Sequence, residues 1–372
     1  MRTELCDRFD IDYPIFVFTP SEKVAAAVTR AGGMGVLGCV RFNDSDELES
    51  VLNWMDANTD GKPYGVDVVM PATVPTEGTP VDISKLIPQT HRDFVAKTLA
   101  DLGVPPLPED GNGNAGVLGW LHSVARSHVD VALGHRISLI ANALGSPPAD
   151  VIEAAHAVGV PLAALAGTAQ HARRHVDNGV DIVVAQGYEA GGHTGEIASM
   201  VLVPEVVDAV GSTPVLAAGG IGTGRQVAAA LALGASGVWM GSAFLTAAEY
   251  DLGVKGADGP SVIQQALLAA TSSDTVRRRI YSGKPARLLK SRWTDAWDAH
   301  GAPDALPMPL QNVLVAEAHQ RMSQSHDPSA VAMPVGQIVG RMNEIRPAAA
   351  IIAELVSGYD AATRRLDDFR DT

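Results

Sequence analysis

The sequence predicts an α/β fold: a (β/α)8 TIM barrel with a smaller appended, mainly helical lobe and a long insertion after strand three. Three features carry that prediction. Short apolar runs alternate with single helical segments, the rhythm of repeated βα units. The runs are apolar at almost every position, so their strands are buried on both faces, as in a parallel sheet. Glycine-rich turns follow strands six, seven and eight, at the strand ends where parallel barrels place their ligands.

Tyr13 to Phe18 is the first strand. A helix from Ser21 to Arg30 follows, with alanine and valine at helical spacing, and Ala31-Gly32-Gly33 ends it. Met34 to Val40 is strand two, Asp44 to Ala57 an amphipathic helix, and Tyr64 to Val69 strand three. Residues 71–135 then break the rhythm with a Pro/Thr/Gly stretch (Pro71 to Pro80), a helix near His91 to Leu102, and a polar turn from Glu109 to Asn114. Such an excursion from a barrel strand is expected to form a lid or a substrate-facing wall. Strand four is His135 to Ala143, and Pro147-Pro148 starts a helix that runs to Val158 and stops at Gly159. Val160 to Leu165 is strand five, Thr168 caps a helix to Asn178, and Asp181 to Gln186 is strand six.

After the glycine loop that follows, Pro204 to Val210 is helical. Thr213 to Ala218 is strand seven, Gly224 to Leu233 a helix, and Ala235 to Met240 strand eight. The barrel thus spans 1–243 together with 336–360, and the lobe 244–335. In the lobe, Ser261 to Ala270 is helical, and Arg277 to Arg292 is basic and partly extended, facing phosphate, substrate or solvent. Ile338 to Ser357 has helical spacing and is expected to pack back on the barrel, with a frayed tail beyond it.

Composition narrows the function. A formal net charge of −14, with no basic cluster to offset it, argues against nucleic acid or an anionic membrane surface as partner. It leaves an anionic cofactor open, because backbone N–H groups and helix N-termini bind phosphate without net positive charge. Two cysteines, Cys6 and Cys39, exclude a disulfide framework or a cysteine-rich metal site and fit a reducing, cytoplasmic setting. The N-terminus lacks the apolar run of a signal peptide, and no stretch has the length of a membrane span without glycine or charge.

Strand six runs into Gly187-Tyr188-Glu189-Ala190-Gly191-Gly192-His193-Thr194-Gly195. The glycines let the backbone take positive φ and approach a flat ligand. His193 is the side chain there able to exchange a proton near neutral pH. Strand seven ends in Gly219-Gly220-Ile221-Gly222-Thr223-Gly224 and strand eight in Gly241-Ser242. These neighbouring turns form the usual phosphate-binding corner of a barrel, with exposed backbone N–H groups, a helix N-terminus and the Ser242 hydroxyl. A dinucleotide fingerprint does not fit. From Gly220 or Gly222 the third glycine of G-x-G-x-x-G falls on Arg225 or Val227, and no acidic residue closes the following strand, which ends in Met240. A mononucleotide phosphate, such as that of FMN, suits the turns better.

Gln186 to Gly195, Ala218-Gly219-Gly220-Ile221, Met240-Gly241-Ser242-Ala243-Phe244 and Gly336-Gln337, taken in order, resemble the nitronate monooxygenase (2-nitropropane dioxygenase) family. Ser282-Gly283-Lys284-Pro285-Ala286-Arg287 is similar to a segment of that family's smaller lobe. The resemblance implies a barrel carrying non-covalent FMN at its C-terminal face. It places phosphate at Gly219, Gly220, Gly241 and Ser242, and Gln186, Gly191 and Gly192 beside the flavin, with Gln337 as a further cofactor contact. His193 becomes the catalytic base or the electrostatic partner of an anionic substrate. The chain departs from the family at Phe18-Thr19-Pro20, where Ala-Pro-Met is usual, at Asp67 in place of an asparagine, and at Asn142 where a histidine is common. Asp67 either raises the pKa of His193 or binds a ribityl hydroxyl.

The resemblance implies oxidation of alkyl nitronates or nitroalkanes by O2 to a carbonyl compound and nitrite. An alternative is an FMN- and NAD(P)H-dependent reductase of enoyl or related acyl thioesters, since flavin enoyl reductases resemble the same Gly-Gly-His loop. A non-catalytic flavin-binding barrel is the reading outside enzymes, and a homo-oligomer is left open. Other residues weigh less. His171 and His175 stand at i, i+4 on an outer helix with no third ligand, and are expected on a solvated face. His122 and His128 are candidate pocket residues in the insertion, and Trp239 is expected to pack in the core.

Overall fold

The computed structural model describes residues 1–70, 83–107, 122–255 and 259–369. The Pro71 to Pro80 stretch and the Glu109 to Asn114 turn lie outside them. Eight strands form a closed parallel barrel: β1 (Ile15–Thr19), β2 (Met34–Gly38), β3 (Tyr64–Val69), β4 (Ile137–Ala143), β5 (Leu162–Ala166), β6 (Ile182–Gln186), β8 (Val215–Ala218) and β9 (Gly237–Met240). The barrel closes where β1 pairs with β9, Ile15 opposite Val238 and Val17 opposite Met240. The short β7 (Gly192–His193) lies outside it, in the histidine loop.

Both faces of the barrel strands are apolar for the reason the sequence suggested. Phe16, Val36, Leu139, Ala141, Val184, Leu216 and Trp239 fill the interior, with Leu5, Cys6 and Phe9 of the short helix α1 (Glu4–Phe9) in the same cluster. Residues of opposite parity, such as Val17, Val183, Ala217 and Val238, pack outward against the helices. The ring comprises α2 (Glu22–Arg30), α3 (Ser45–Asn58), α5 (His122–Leu133), α6 (Ala149–Ala157), α7 (Ala169–Asp177), α8 (Ser199–Val210) and α9 (Gly224–Ala232). Ser21, Asp44, Thr168 and Thr223 each cap the helix they precede with a side-chain oxygen, which fixes where those helices begin.

The 71–135 insertion divides between two neighbours. Its end is α5, the ring helix after β3, which packs on α3 and α6. Its middle helix, α4 (Gln89–Asp101), packs on α12 (Leu310–Ser323) and adds Val95 and Leu99 to a core built on Trp293 and Trp297 of the lobe.

After β9 the chain leaves the barrel for α10 (Val262–Ala269), α11 (Arg292–Asp298) and α12, and returns as α13 (Ala348–Asp368), which packs on α9 and α2. The lobe is helical but also holds an antiparallel sheet of β10 (Thr275–Arg278), β11 (Ala286–Leu289) and β7. α13 starts ten residues later than its periodicity suggested, because Pro347 sets its N-terminus and Gln337–Arg341 forms a separate 3-10 turn. It then continues to Asp368, where a frayed tail was expected. Ile351, Ile352 and Leu355 anchor its first turns, and good helix formers carry it on.

Candidate active site

A cavity of about 560 Å³ opens at the C-terminal end of the barrel and extends under the lobe. Gln186, Gly191, Gly192, Gly219, Gly220, Gly241 and Ser242, seven of the residues singled out from the sequence, line it together. Phe18, Trp239 and Met240 from the barrel, and Tyr250, Tyr281 and His319 from beyond it, complete much of its wall. A deep, largely apolar cleft with a few convergent polar groups is the usual form of a cofactor site.

The histidine loop is held from three sides. Its Glu189 carboxylate accepts from Ser199 N–H and Oγ–H, both at 2.9 Å, at the start of α8. Gln337 N–H donates to the Glu189 carbonyl at 2.9 Å. Arg287 is 2 % exposed and lies with its guanidinium 4.4 Å from the Tyr188 ring centre. It donates to the Tyr188 carbonyl through Nε and Nη2, so the buried charge is matched to backbone oxygen and a π face. Beyond this, β7 adds to β11, with His193 opposite Ala286. The periodicity of the loop gave no sign of this sheet, since two residues are too few to show alternation.

That pairing sets the histidine. His193 Nε2 lies 2.6 Å from Ser282 Oγ, and its ring meets Tyr281 edge-on at 6.5 Å. His193 stands one residue beyond the lining Gly192 rather than in the lining itself. Burial, with Lys284 close by, lowers its pKa to about 4, so the imidazole is neutral at physiological pH. Ser282 was visible in the sequence only as part of a family-like segment, not as the partner of the histidine.

The turns after β8 and β9 present open backbone. Gly219 and Gly220 both take positive φ, 100° and 70°, which a side chain would strain. Among the described residues, the N–H groups of Gly220, Ile221, Gly241 and Ser242 donate to no protein acceptor. Ser242 Oγ accepts from Gly336 N–H at 2.9 Å, which leaves its own proton to donate. Gln226 ties the turn together, accepting from Gly222 N–H and Thr223 Oγ–H and donating to the Gly220 carbonyl. Gly191 has another duty besides: a Cβ there would lie 2.7 Å from the Gly336 nitrogen, so the loop and the returning chain touch backbone to backbone.

Asp67 and Gln337 are not in the cavity lining. Asp67 is 4 % exposed on β3, and its carboxyl has no hydrogen-bond or ion-pair partner among the described residues. Burial raises its pKa well above the ordinary carboxylate value, which favours the protonated carboxyl. It does not raise His193, whose pKa is lowered. A carboxyl protonated in the folded state but ionised in the unfolded chain makes stability fall as pH rises above the ordinary carboxylate pKa. Asp67→Asn in flavin-free protein therefore melts a few degrees above the parent at pH 8, and the gap closes near pH 4. A gap of the same size at both pH values would count against a protonated Asp67.

The basic stretch gives Tyr281 to the cavity wall but none of its arginines or lysines. Arg277 pairs with Glu196, Arg278 with Asp298 and Arg292 with Asp327, while Arg287 holds the histidine loop. His175 is buried rather than solvated, 2.7 Å from Ser146 Oγ, and His171 is exposed. No group of metal-ligating residues occurs among the described residues. His128 is buried against Phe42, outside the cavity lining, and the side chain of His122 lies outside the described residues. Asn142 is spent on backbone, accepting from Met70 N–H and donating to the Gly145 carbonyl. Trp239 packs in the barrel interior, as expected, and its ring also reaches the cavity. No described helix is long and apolar enough to cross a membrane.

A closed parallel barrel with a glycine-lined cavity and a fixed histidine loop at its C-terminal face is the arrangement of a barrel enzyme. The family model for nitronate monooxygenase matches residues 3–358, and the chain belongs to that family of oxidoreductases. It is 48% identical to a Mycobacterium tuberculosis protein named as a monooxygenase, Rv1533, over 96% of each chain. It is 26% identical to a Staphylococcus aureus protein named as a probable nitronate monooxygenase, over 96% of this chain and 97% of that one. Among solved structures, nitroalkane oxidase from Streptomyces ansochromogenes superposes with a TM-score of 0.77 at 27% identity, over 97% of this chain and 99% of that one. FabK from Thermotoga maritima superposes with a TM-score of 0.74 at 25% identity, over 99% of both.

Proposed function

We propose that the cavity holds FMN and that the chain oxidises alkyl nitronates or nitroalkanes with O2 to a carbonyl compound and nitrite. The observation that carries this reading is the set of undonated N–H groups at Gly220, Ile221, Gly241 and Ser242, on a cavity whose lining Gly192 directly precedes a neutral histidine. The residues fit a phosphate: the corner is all backbone donors and one hydroxyl, and a side chain at Gly219 or Gly220 would need strained φ. Gln186, Gly191 and Gly192 then flank the ring system, with Gln337 holding the loop through the Glu189 carbonyl. When bound, the flavin supplies the redox chemistry.

The protein supplies positioning and proton transfer. A neutral His193 takes the acidic α-proton of a nitroalkane, and Ser282 fixes the ring through Nε2 for that task. The lowered pKa favours this base role over a standing imidazolium that attracts a preformed anion. As the proton moves, the nitronate and imidazolium form an ion pair away from water, which offsets the burial that depresses the free imidazole. Both cysteines are unpaired and buried, in keeping with a cytoplasmic enzyme.

The test is spectroscopic. Purified protein, as isolated or after FMN addition, is expected to show flavin absorbance that bleaches when propyl nitronate is mixed in without oxygen. NADH alone is expected to leave it unchanged. Rapid bleaching by NADH would instead favour the thioester reductase, and failure to take up FMN would sink both readings.

A further inference from the structure

Tyr250 and Tyr281 reach the cavity from separate parts of the chain, one in the segment leaving β9 and one in the β10–β11 connection. Tyr250 is 1 % exposed and belongs to the large core cluster around Leu245 and Ile263. Tyr281 is stacked on His319, with ring centres 4.9 Å apart and planes 16° from parallel, and meets His193 edge-on. Both rings are therefore fixed before any ligand arrives. Neither hydroxyl has a protein partner among the described residues, and neither is sealed away from the cavity. Neither is among the fully buried atoms left without a partner, so both phenols are open to the one cavity they line and can donate to a ligand there.

Burial raises both phenols, and each is close enough to the other that ionising Tyr281 opposes ionising Tyr250. Both keep their protons and act as donors. His319 beside them is neutral, its pKa lowered to about 4 by burial. The array thus suits an acceptor-rich group more than a cation.

We propose that Tyr250 and Tyr281 form a paired donor subsite that holds the two oxygens of a planar nitro or nitronate group, and so position the substrate for His193. This rests on the nitronate reading above. A nitroalkane gains negative charge on both of its oxygens as the α-proton leaves, so two fixed hydroxyls strengthen their hold as that charge develops. A thioester carbonyl would satisfy both hydroxyls only by taking the two on its one oxygen.

Tyr250→Phe, Tyr281→Phe and the double variant, each loaded with FMN, test this by titration calorimetry with propionate, a two-oxygen anion shaped like a small nitronate. Each single change is expected to weaken propionate about 10-fold and the double about 100-fold, with KM for propyl nitronate rising in step and kcat moving less. Melting temperature and flavin content are expected to stay at parent values, which a general packing defect would not allow. Parent-like propionate binding and KM in both single variants would overturn the subsite, as would no measurable propionate binding by the parent. Tyrosine-dependent propionate binding without nitronate turnover keeps the subsite and removes the nitronate reading.

Discussion

His193→Ala is expected to lower kcat/KM for a neutral nitroalkane by about 10²- to 10⁴-fold, the usual contribution of a positioned general base. Preformed nitronate needs no proton removed, so its turnover is expected to fall far less. This contrast separates base catalysis from a loss of binding, which would depress both substrates alike. The pH profile gives a second check. A base works in its neutral form, and kcat/KM reports the free enzyme. With the imidazole at about 4, activity on the nitroalkane stays flat from neutral pH down to roughly 5 and falls below about 4. Replacing Lys284 by methionine removes the cation that helps to depress the imidazole, and the acid limb then moves upward in pH. An acid limb near the ordinary histidine value in the parent, or equal losses on both substrates in His193→Ala, would remove His193 as a buried neutral base.

What could be read from the sequence follows the length of the signal. Eight apolar runs and their capped helices were legible because each spans several residues of one period, and the caps at Ser21, Thr168 and Thr223 stand where they were needed. That the glycine turns after β8 and β9 meet at one cavity was legible because glycines and a serine at strand ends have few other uses. Features made by pairing distant segments were not. β7 is two residues long and becomes a strand only because β11 arrives from the lobe. The Ser282–His193 contact spans 89 residues, and nothing local to either marks it. The arginines of 277–292 looked like ligand contacts because sequence shows charge but not its partner, and the partners are Glu196, Asp298, Asp327 and a backbone carbonyl. Tyr250 and Tyr281 escaped notice altogether, since one stands between Glu249 and Asp251 and the other beside the arginines, and neither spacing marks a cavity wall.

Gly224→Ala is expected to be the most damaging of the conservative changes, by about 3 kcal/mol or more, because it forces two backbones apart. The sequence places Gly224 at the end of the phosphate turn, where its apparent purpose is a free N–H. The structure gives it a packing purpose. It is the first residue of α9, and a Cβ there would lie 2.2 Å from the Tyr359 nitrogen and 2.3 Å from the Leu355 oxygen of α13. No rotamer relieves a contact with main chain, so α9 and α13 must move apart. Gly358, on the other side of the crossing, supplies the control. A Cβ there comes no nearer than 3.3 Å to Gly224, and alanine gains about 1 kcal/mol of helix propensity over glycine. Gly358→Ala is therefore expected to melt close to the parent, while Gly224→Ala melts well below it or accumulates unfolded. Because α9 also points its N-terminus at the phosphate corner, Gly224→Ala protein that does fold should retain less FMN than Gly358→Ala. Equal melting temperatures for the two variants would mean that the crossing is looser than its backbone distances state, and the helix could then be repositioned without loss of the cofactor.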